Sequence, residues 1–268
     1  MSSSAGLPLL DIARTLDLVA AEAGEIALRW FRPGERTSAR TDYKDGGSPV
    51  TEADLAVDKY LAERLRPLFP EAAWLSEETA DSDVRLSAET VIVVDPIDGT
   101  RGFAEGDTRW SVSIALVRDG RPIAGAIAAP AAGDRYMAAV GGGAWRNGAR
   151  LSLSSTARLA GGKLAGPQPS SAKVARALEM SLVPKIPSLA VRFAKVADGG
   201  IEGALSSANS HDWDIAAADL ILHEAGGLLA GLDGARPRYN RRDLKHGALA
   251  AAAATAHPEL LAAFARAQ

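Results

Sequence analysis

The segment Asp95-Pro96-Ile97-Asp98-Gly99-Thr100 places two carboxylates, a glycine and a hydroxyl directly after Val91-Ile92-Val93-Val94, four β-branched residues in a row. Such a run has no polar face and reads as a strand buried on both sides, so the polar groups arrive at its exposed end. Two carboxylates around a proline-stiffened turn can share a hard cation through oxygen ligands, with the Ile97 carbonyl as a supplement. Gly99 would let a phosphate approach the backbone, and N–H groups of a following helix start would face it. A plain Asx turn is the competing reading of this hexapeptide. Three other groups are ambiguous alone. Glu77-Glu78 reads as ligands or as solvated surface. Asp214 reads as a ligand or as a helix N-cap, and Thr51, three residues before Asp54, as part of a site or as the cap of a second helix.

The elements that must position these groups follow from the hydrophobic pattern. Ile12, Leu16, Val19, Ala23, Ile26 and Trp30 mark one face of a helix that Pro33-Gly34 ends. The polar stretch Thr37–Ser48, with Lys44 and Asp45-Gly46-Gly47, predicts a mobile loop. A second helix is expected from Thr51 to Leu68, burying Ala53, Val57, Tyr60, Leu61, Leu65 and Leu68. Trp110–Val117 and Pro122–Ala129 read as strands joined through Asp119-Gly120, and Asn147-Gly148 marks a second hairpin. Short connections of this kind argue for an antiparallel sheet flanked by the two helices. Composition shifts to Ser, Gly, Pro and Ala over Leu153–Ser171, which sets a boundary between residues 1–152 and 153–268. Beyond it the pattern predicts a helix over Asp214–Glu224 stopped by Gly226-Gly227, a buried strand within Ala248–Ala256 and a terminal helix over Glu259–Arg266.

Composition narrows the function classes. A chain of 268 residues that is 47% apolar can bury a sizeable core. A net charge of -3 with no long basic run argues against a nucleic acid polymer or an anionic membrane as partner. The absence of cysteine removes disulfides, thiolate zinc sites and cysteine nucleophiles, and fits a reducing cytoplasm. Met1–Leu10 has no signal-peptide pattern, and no segment offers about eighteen uninterrupted apolar residues. The four histidines lack metalloprotease spacing.

Four motifs occur in order: Ser48-Pro49-Val50-Thr51-Glu52-Ala53-Asp54, Ser76-Glu77-Glu78-Thr79, Val93-Val94-Asp95-Pro96-Ile97-Asp98-Gly99-Thr100-Arg101-Gly102-Phe103, and the stretch from Trp213-Asp214 to Gly226-Gly227. Together they resemble the inositol monophosphatase superfamily over Lys44 to Gly227. The resemblance implies an α-β-α-β-α layered sandwich of the α+β or α/β class, with an antiparallel sheet in the first half, a smaller mixed sheet in the second and the site between them. It further implies a phosphomonoesterase that uses two or three Mg2+ ions, is inhibited by lithium and attacks with water, with no covalent enzyme intermediate. By position, Glu77, Asp95 and the Ile97 carbonyl would hold one ion and Asp95, Asp98 and Asp214 a second, with Asp95 bridging. A third, weaker ion is expected near Glu77. Asp54 and Thr100 would orient and deprotonate the water, and Thr51 would support the loop. Glu78, Lys44 and Arg101 stand beside these positions without an assigned contact.

The resemblance leaves the substrate open among a small phosphate ester such as myo-inositol 1-phosphate, 3′-phosphoadenosine-5′-phosphate and histidinol phosphate. Pro187-Ser188-Leu189 departs from the Gly-Ser or Gly-Thr pair frequent at the family's substrate turn; Gly99, Thr100, Ser188, Asn209 and His211 are the expected substrate contacts. Homodimers are common in the family. Asp-Gly-Thr also occurs in haloacid dehalogenase phosphatases, but their two aspartates are separated by one residue, and Asp95 and Asp98 by two. A non-catalytic phosphosugar-binding module must explain why every expected carboxylate is present.

Overall fold

The computed structural model describes residues 8–44 and 46–268. Asp45 of the expected loop, and most of the Met1–Leu10 segment read for a leader, lie outside the described residues. Helix α1 (Leu9–Leu28) is followed by a hairpin of β1 (Thr41–Tyr43) and β2 (Pro49–Thr51), then by α2 (Glu52–Leu65). The large sheet runs in chain order through β3 (Ala73–Ser76), β4 (Thr90–Asp98), β5 (Ser111–Arg118), β6 (Arg121–Ala129), β7 (Asp134–Ala139), β8 (Gly143–Arg146) and β9 (Ala149–Leu151), with the short helix α3 (Thr100–Ala104) after β4. The remainder comprises β10 (Lys163–Ala165), α4 (Ser170–Ala177), β11 (Ser181–Leu182), α5 (Leu189–Ala197), β12 (Gly203–Ser206), β13 (Ser210–His211), α6 (Asp212–Glu224), β14 (Gly227–Gly231), β15 (Lys245–His246), β16 (Leu249–Ala253) and α7 (His257–Ala267). The smaller sheet has the order β11-β10-β12-β16-β14 and is mixed.

The layers follow from which faces are apolar. Ile92 and Val94 of β4 pack with α1 and α2, while Val91 and Val93 pack on the other side with α5 and α6, so alternate residues bury both faces of the strand. The smaller sheet covers the outer side of α5 and α6, and α4 and α7 cover that sheet in turn. The result is the α-β-α-β-α sandwich. The chain passes from one sheet to the other between Leu151 and Lys163, yet one apolar cluster joins residues of both. Small residues set the spacing at its centre. A Cβ on Gly125 of β6 would lie 3.2 Å from Ala217 Cα of α6.

Several expectations shift in detail. The large sheet is mixed, because β3 and β4 are parallel; the segment between them, Glu77–Glu89, is a crossover rather than a hairpin. The buried stripe of α1 is Ala13, Leu16, Val19, Ala20, Ala23 and Ala27, and Ile12, Ile26 and Trp30 lie at its margins. Alanine and glycine bring this helix close to the sheet, as at Gly24, where a Cβ would lie 3.0 Å from the Pro130 ring. Helix α2 stops at Leu65, leaving Leu68 exposed, and Tyr60 packs half-buried against the core while its hydroxyl bonds Glu22. The stretch expected as a loop carries β1. Helix α6 begins at Asp212, two residues before the expected start. Asp119, Gly120, Asn147 and Gly148 all have positive φ, as tight hairpins require. Among the described residues, no helix is long and apolar enough to cross a membrane.

Candidate metal centre

Strand β4 delivers Asp95 and Asp98 through an irregularity around Pro96, where regular pairing with β5 lapses between the two aspartates. Helix α6 brings Asp214 from the facing layer. One oxygen each of Asp95, Asp98 and Asp214 lies within 4.8 Å of the others. They open into a cavity of about 260 Å³ that is also lined by Ser48, Pro49, Glu77, Gly99, Thr100, Arg101, Lys185 and Pro187. Four larger hollows, of about 310 to 360 Å³, include none of these three aspartates; the chemistry of the lining, not volume, selects the site.

Each carboxylate is held differently. Asp98 accepts hydrogen bonds from Ser188 Oγ at 2.5 Å and from the amides of Leu189 and Ala190 at 3.2 and 2.7 Å, so it caps the N-terminus of α5. Asp214 Oδ2 accepts the His211 amide at 2.7 Å. Among the described residues, Asp95 Oδ1 is buried and has no hydrogen-bond partner. A buried carboxylate oxygen without a donor is costly, and this one sits among acids that repel it. Burial, then repulsion from Glu77, Asp98 and Asp214, holds Asp95 well above the usual carboxylate range. Burial and the charge of Asp98 do the same for Asp214. Burial takes Asp98 to about 6 against the pull of its Ser188, Ala190 and Leu189 donors. An all-oxygen donor set, an orphaned buried oxygen and mutual repulsion fit hard divalent cations.

Thr51 and Asp54 form a reciprocal cap at the start of α2. The Thr51 amide and hydroxyl lie 2.7 and 2.5 Å from Asp54 Oδ2. Asp54 Oδ1 is thereby left to face Thr100 Oγ1 at 3.1 Å. Thr100 Oγ1 also lies 2.9 Å from the Ile97 carbonyl, so its single proton has two acceptors. Burial raises Asp54 to about 6, against the hydrogen bonds from Thr51 and Thr100.

Residues 10–268 match the sequence model of the Inositol monophosphatase family. The chain belongs to this family. It is 32% identical to a 3′(2′),5′-bisphosphate nucleotidase CysQ of Aggregatibacter actinomycetemcomitans, over 88% of this chain and 91% of that protein. It is 36% identical to a histidinol-phosphatase of Mycobacterium tuberculosis, over 73% of this chain and 78% of the relative. The solved extragenic suppressor protein suhB of Bartonella henselae superposes with a TM-score of 0.83 at 26% identity, covering 95% of this chain and 98% of that one. Members of the inositol monophosphatase family are metal-dependent phosphoric monoester hydrolases, and this chain is an enzyme of that class.

Within this inositol monophosphatase family member, the expected site residues divide. Glu77 borders the cavity and leads the charges that raise Asp95, but its Oε1 is held by Lys44 Nζ at 2.9 Å and it is not among the three carboxylates that gather within 4.8 Å. Lys44 also reaches Glu78 at 2.8 Å. The Glu78 side chain is nearly buried, and burial raises it to about 7 against the effect of Lys44. Gly99 lines the cavity, but its bare Cα and φ of 91° serve a close approach to the chain: a Cβ would lie 2.9 Å from the Ser188 nitrogen. Ser188 does not reach the cavity. It is fully buried, bonded to Asp98 and Ser111, and caps Val191 of α5. Asn209 is exposed in the left-handed region, donating its amide to the His246 carbonyl, and does not line the cavity either. His211 stacks on Trp213 with ring centres 4.7 Å apart, outside the cavity lining. Lys185 lines the cavity and was not singled out in the sequence; its only signal was its place just before Pro187-Ser188.

Proposed function

We propose that this chain is a Mg2+-dependent phosphomonoesterase that hydrolyses a small phosphate ester by direct attack of water. The carrying observation is the orphaned, buried Asp95 Oδ1 between Asp98 and Asp214. Asp95, Asp98 and Asp214, together with Glu77 and the Ile97 carbonyl, would hold the ions, with Asp95 shared. The ions supply Lewis acidity, acidifying water and neutralising phosphoryl oxygens. The chain itself supplies the proton path. Thr51 fixes Asp54 Oδ2, so that Oδ1 accepts the Thr100 hydroxyl; Thr100 Oγ1 would take the proton of the attacking water as it passes its own to Asp54 Oδ1. An Asp54 near 6 is ionised at neutral pH and still basic enough to serve.

A specific observation favours a substrate with a second anionic group, the bisphosphate nucleotidase reading. Arg101 and Lys185 both line the cavity, both are exposed, and neither has an ion-pair partner among the described residues. Two free cations beside the phosphate site attract a second phosphate and repel the ammonium of histidinol phosphate. The test is Mg2+-dependent phosphate release from myo-inositol 1-phosphate, 3′-phosphoadenosine-5′-phosphate, histidinol phosphate and fructose 1,6-bisphosphate. A tenfold preference in kcat/KM, about 1.4 kcal/mol, identifies the leaving group. No release from any of the four overturns the phosphatase reading in favour of a phosphosugar-binding module.

A further inference from the structure

Helix α6 carries Asp214 into a cluster of carboxylates that repel one another when ionised. Among the described residues Asp214 is oriented by one hydrogen bond, from the His211 amide, so its aim depends on the backbone at the start of α6. That start is held from the far side. Asp212 is fully buried at the first position of α6. Two residues along a helix turn about 200°, so Asp212 points away from the direction of Asp214. Its Oδ1 lies 2.7 Å from His246 Nε2, and its Oδ2 accepts the Asn240 amide at 2.6 Å.

His246 holds the same junction a second way. Its backbone pairs β15 with β13, opposite Ser210, and its carbonyl accepts the Asn209 amide at 2.8 Å. One residue therefore fixes both the strand entering α6, through its backbone, and the first residue of α6, through its ring. The tie extends to the other wall of the site. Asn240 Oδ1 accepts from Arg85 at 2.9 Å and Asn240 Nδ2 donates to the Arg85 carbonyl at 2.9 Å. Arg85 is buried in the β3–β4 crossover that begins with Glu77.

We propose that Asp212 and His246 are positioning residues that hold Asp214 in place for cation binding against the repulsion of the acidic cluster. The inference rests on the metal-dependent reading above. Its test is Mn2+ binding by the purified full-length protein, followed by the paramagnetic resonance signal of free Mn2+, beside phosphate release and thermal melting. Asp212→Ala is expected to weaken Mn2+ affinity tenfold or more, the range for residues that orient metal ligands, while kcat at saturating Mn2+ stays within about twofold. Asp212→Asn, which keeps an acceptor for the Asn240 amide and can donate to the imidazole, should restore affinity to within about threefold of wild type. Phe264→Leu in α7 serves as control, since it loosens a buried contact in a cluster remote from the acids and should lower the melting midpoint with unchanged Mn2+ affinity. Should Asp212→Ala fail to fold, His246→Ala removes one of the two bonds and should weaken binding about threefold. Wild-type Mn2+ affinity in Asp212→Ala, or in His246→Ala where Asp212→Ala does not fold, or an equal loss in Phe264→Leu, overturns the proposal. If wild type binds Mn2+ but hydrolyses none of the four esters, the phosphatase reading alone fails; if it binds no Mn2+, both fail.

Discussion

Asp95→Asn separates the chemistry of the acidic cluster from its architecture. Two unit charges 4.8 Å apart, the outer limit of this cluster, repel by about 3.5 kcal/mol at an effective dielectric constant of about 20. Fully ionised, Asp95 would feel about twice that from Asp98 and Asp214. Burial and those neighbours already hold Asp95 well above the usual carboxylate range, so the metal-free protein favours a proton there, which relieves its share of the repulsion and leaves that between Asp98 and Asp214. Asp95→Asn mimics that proton. The metal-free variant should therefore melt within about 3 °C of metal-free wild type, a difference of about 1 kcal/mol for a domain of this size. Mg2+ at a hundred times its dissociation constant stabilises wild type by about 2.7 kcal/mol, or about 5–10 °C in melting midpoint. In the variant that gain should vanish, and phosphate release should fall about a thousandfold or more. The assay is paired thermal melts with chelator and with Mg2+, run beside phosphate release. A variant that keeps the Mg2+-induced shift and normal turnover refutes the role assigned to Asp95.

Stability of the metal-free protein should fall as pH rises. Asp54 and Asp98, near 6, and Glu78, near 7, are raised by burial above unfolded values of about 4; the folded state binds more protons, so its advantage is complete below about pH 4 and lost progressively toward pH 7. Midpoints with chelator should decline between pH 5 and 7.5 and those with Mg2+ should not; a rise with chelator contradicts the assignment. Thr100→Ala should lower kcat about 10²- to 10⁴-fold with Mg2+ affinity within about threefold of wild type, and an equal loss of Mg2+ affinity would reassign Thr100 to the cation site. Gly125→Val should cost about 1–3 kcal/mol by forcing α6 off the large sheet, seen as a lower midpoint in urea or heat; an unchanged midpoint would show that the seam can give.

The sequence carried the acidic centre well because its residues sit where local rules are strong: Asp95 and Asp98 at the end of an unbroken apolar strand, Asp214 at the start of a helix. What looked like competing readings turned out to coexist. Thr51 does cap α2, and the cap leaves Asp54 Oδ1 facing Thr100. Asp214 does accept a helix-start amide, and one of its oxygens still joins the cluster. A sheet flanked by two helices was legible from β-branched runs and turn dipeptides, and the layered sandwich only through the resemblance that the four ordered motifs carry. The parallel β3–β4 pair was not, since direction depends on where a crossover travels rather than on either strand's composition. Ser188 was read as a substrate contact because a serine in a turn carries no sign of burial; only the meeting of β4 with α5 makes it a cap beneath Asp98. Asp212 and His246 are 34 residues apart, and neither shows a local pattern that announces the other.

The cap that Asp98 forms on α5 bears on how the centre is emptied and refilled. With no cation present, Asp98 already rests on Ser188 and the first amides of α5. An ion held there as proposed would thus find the carboxylate already aimed, and on leaving would not strip it of its donors.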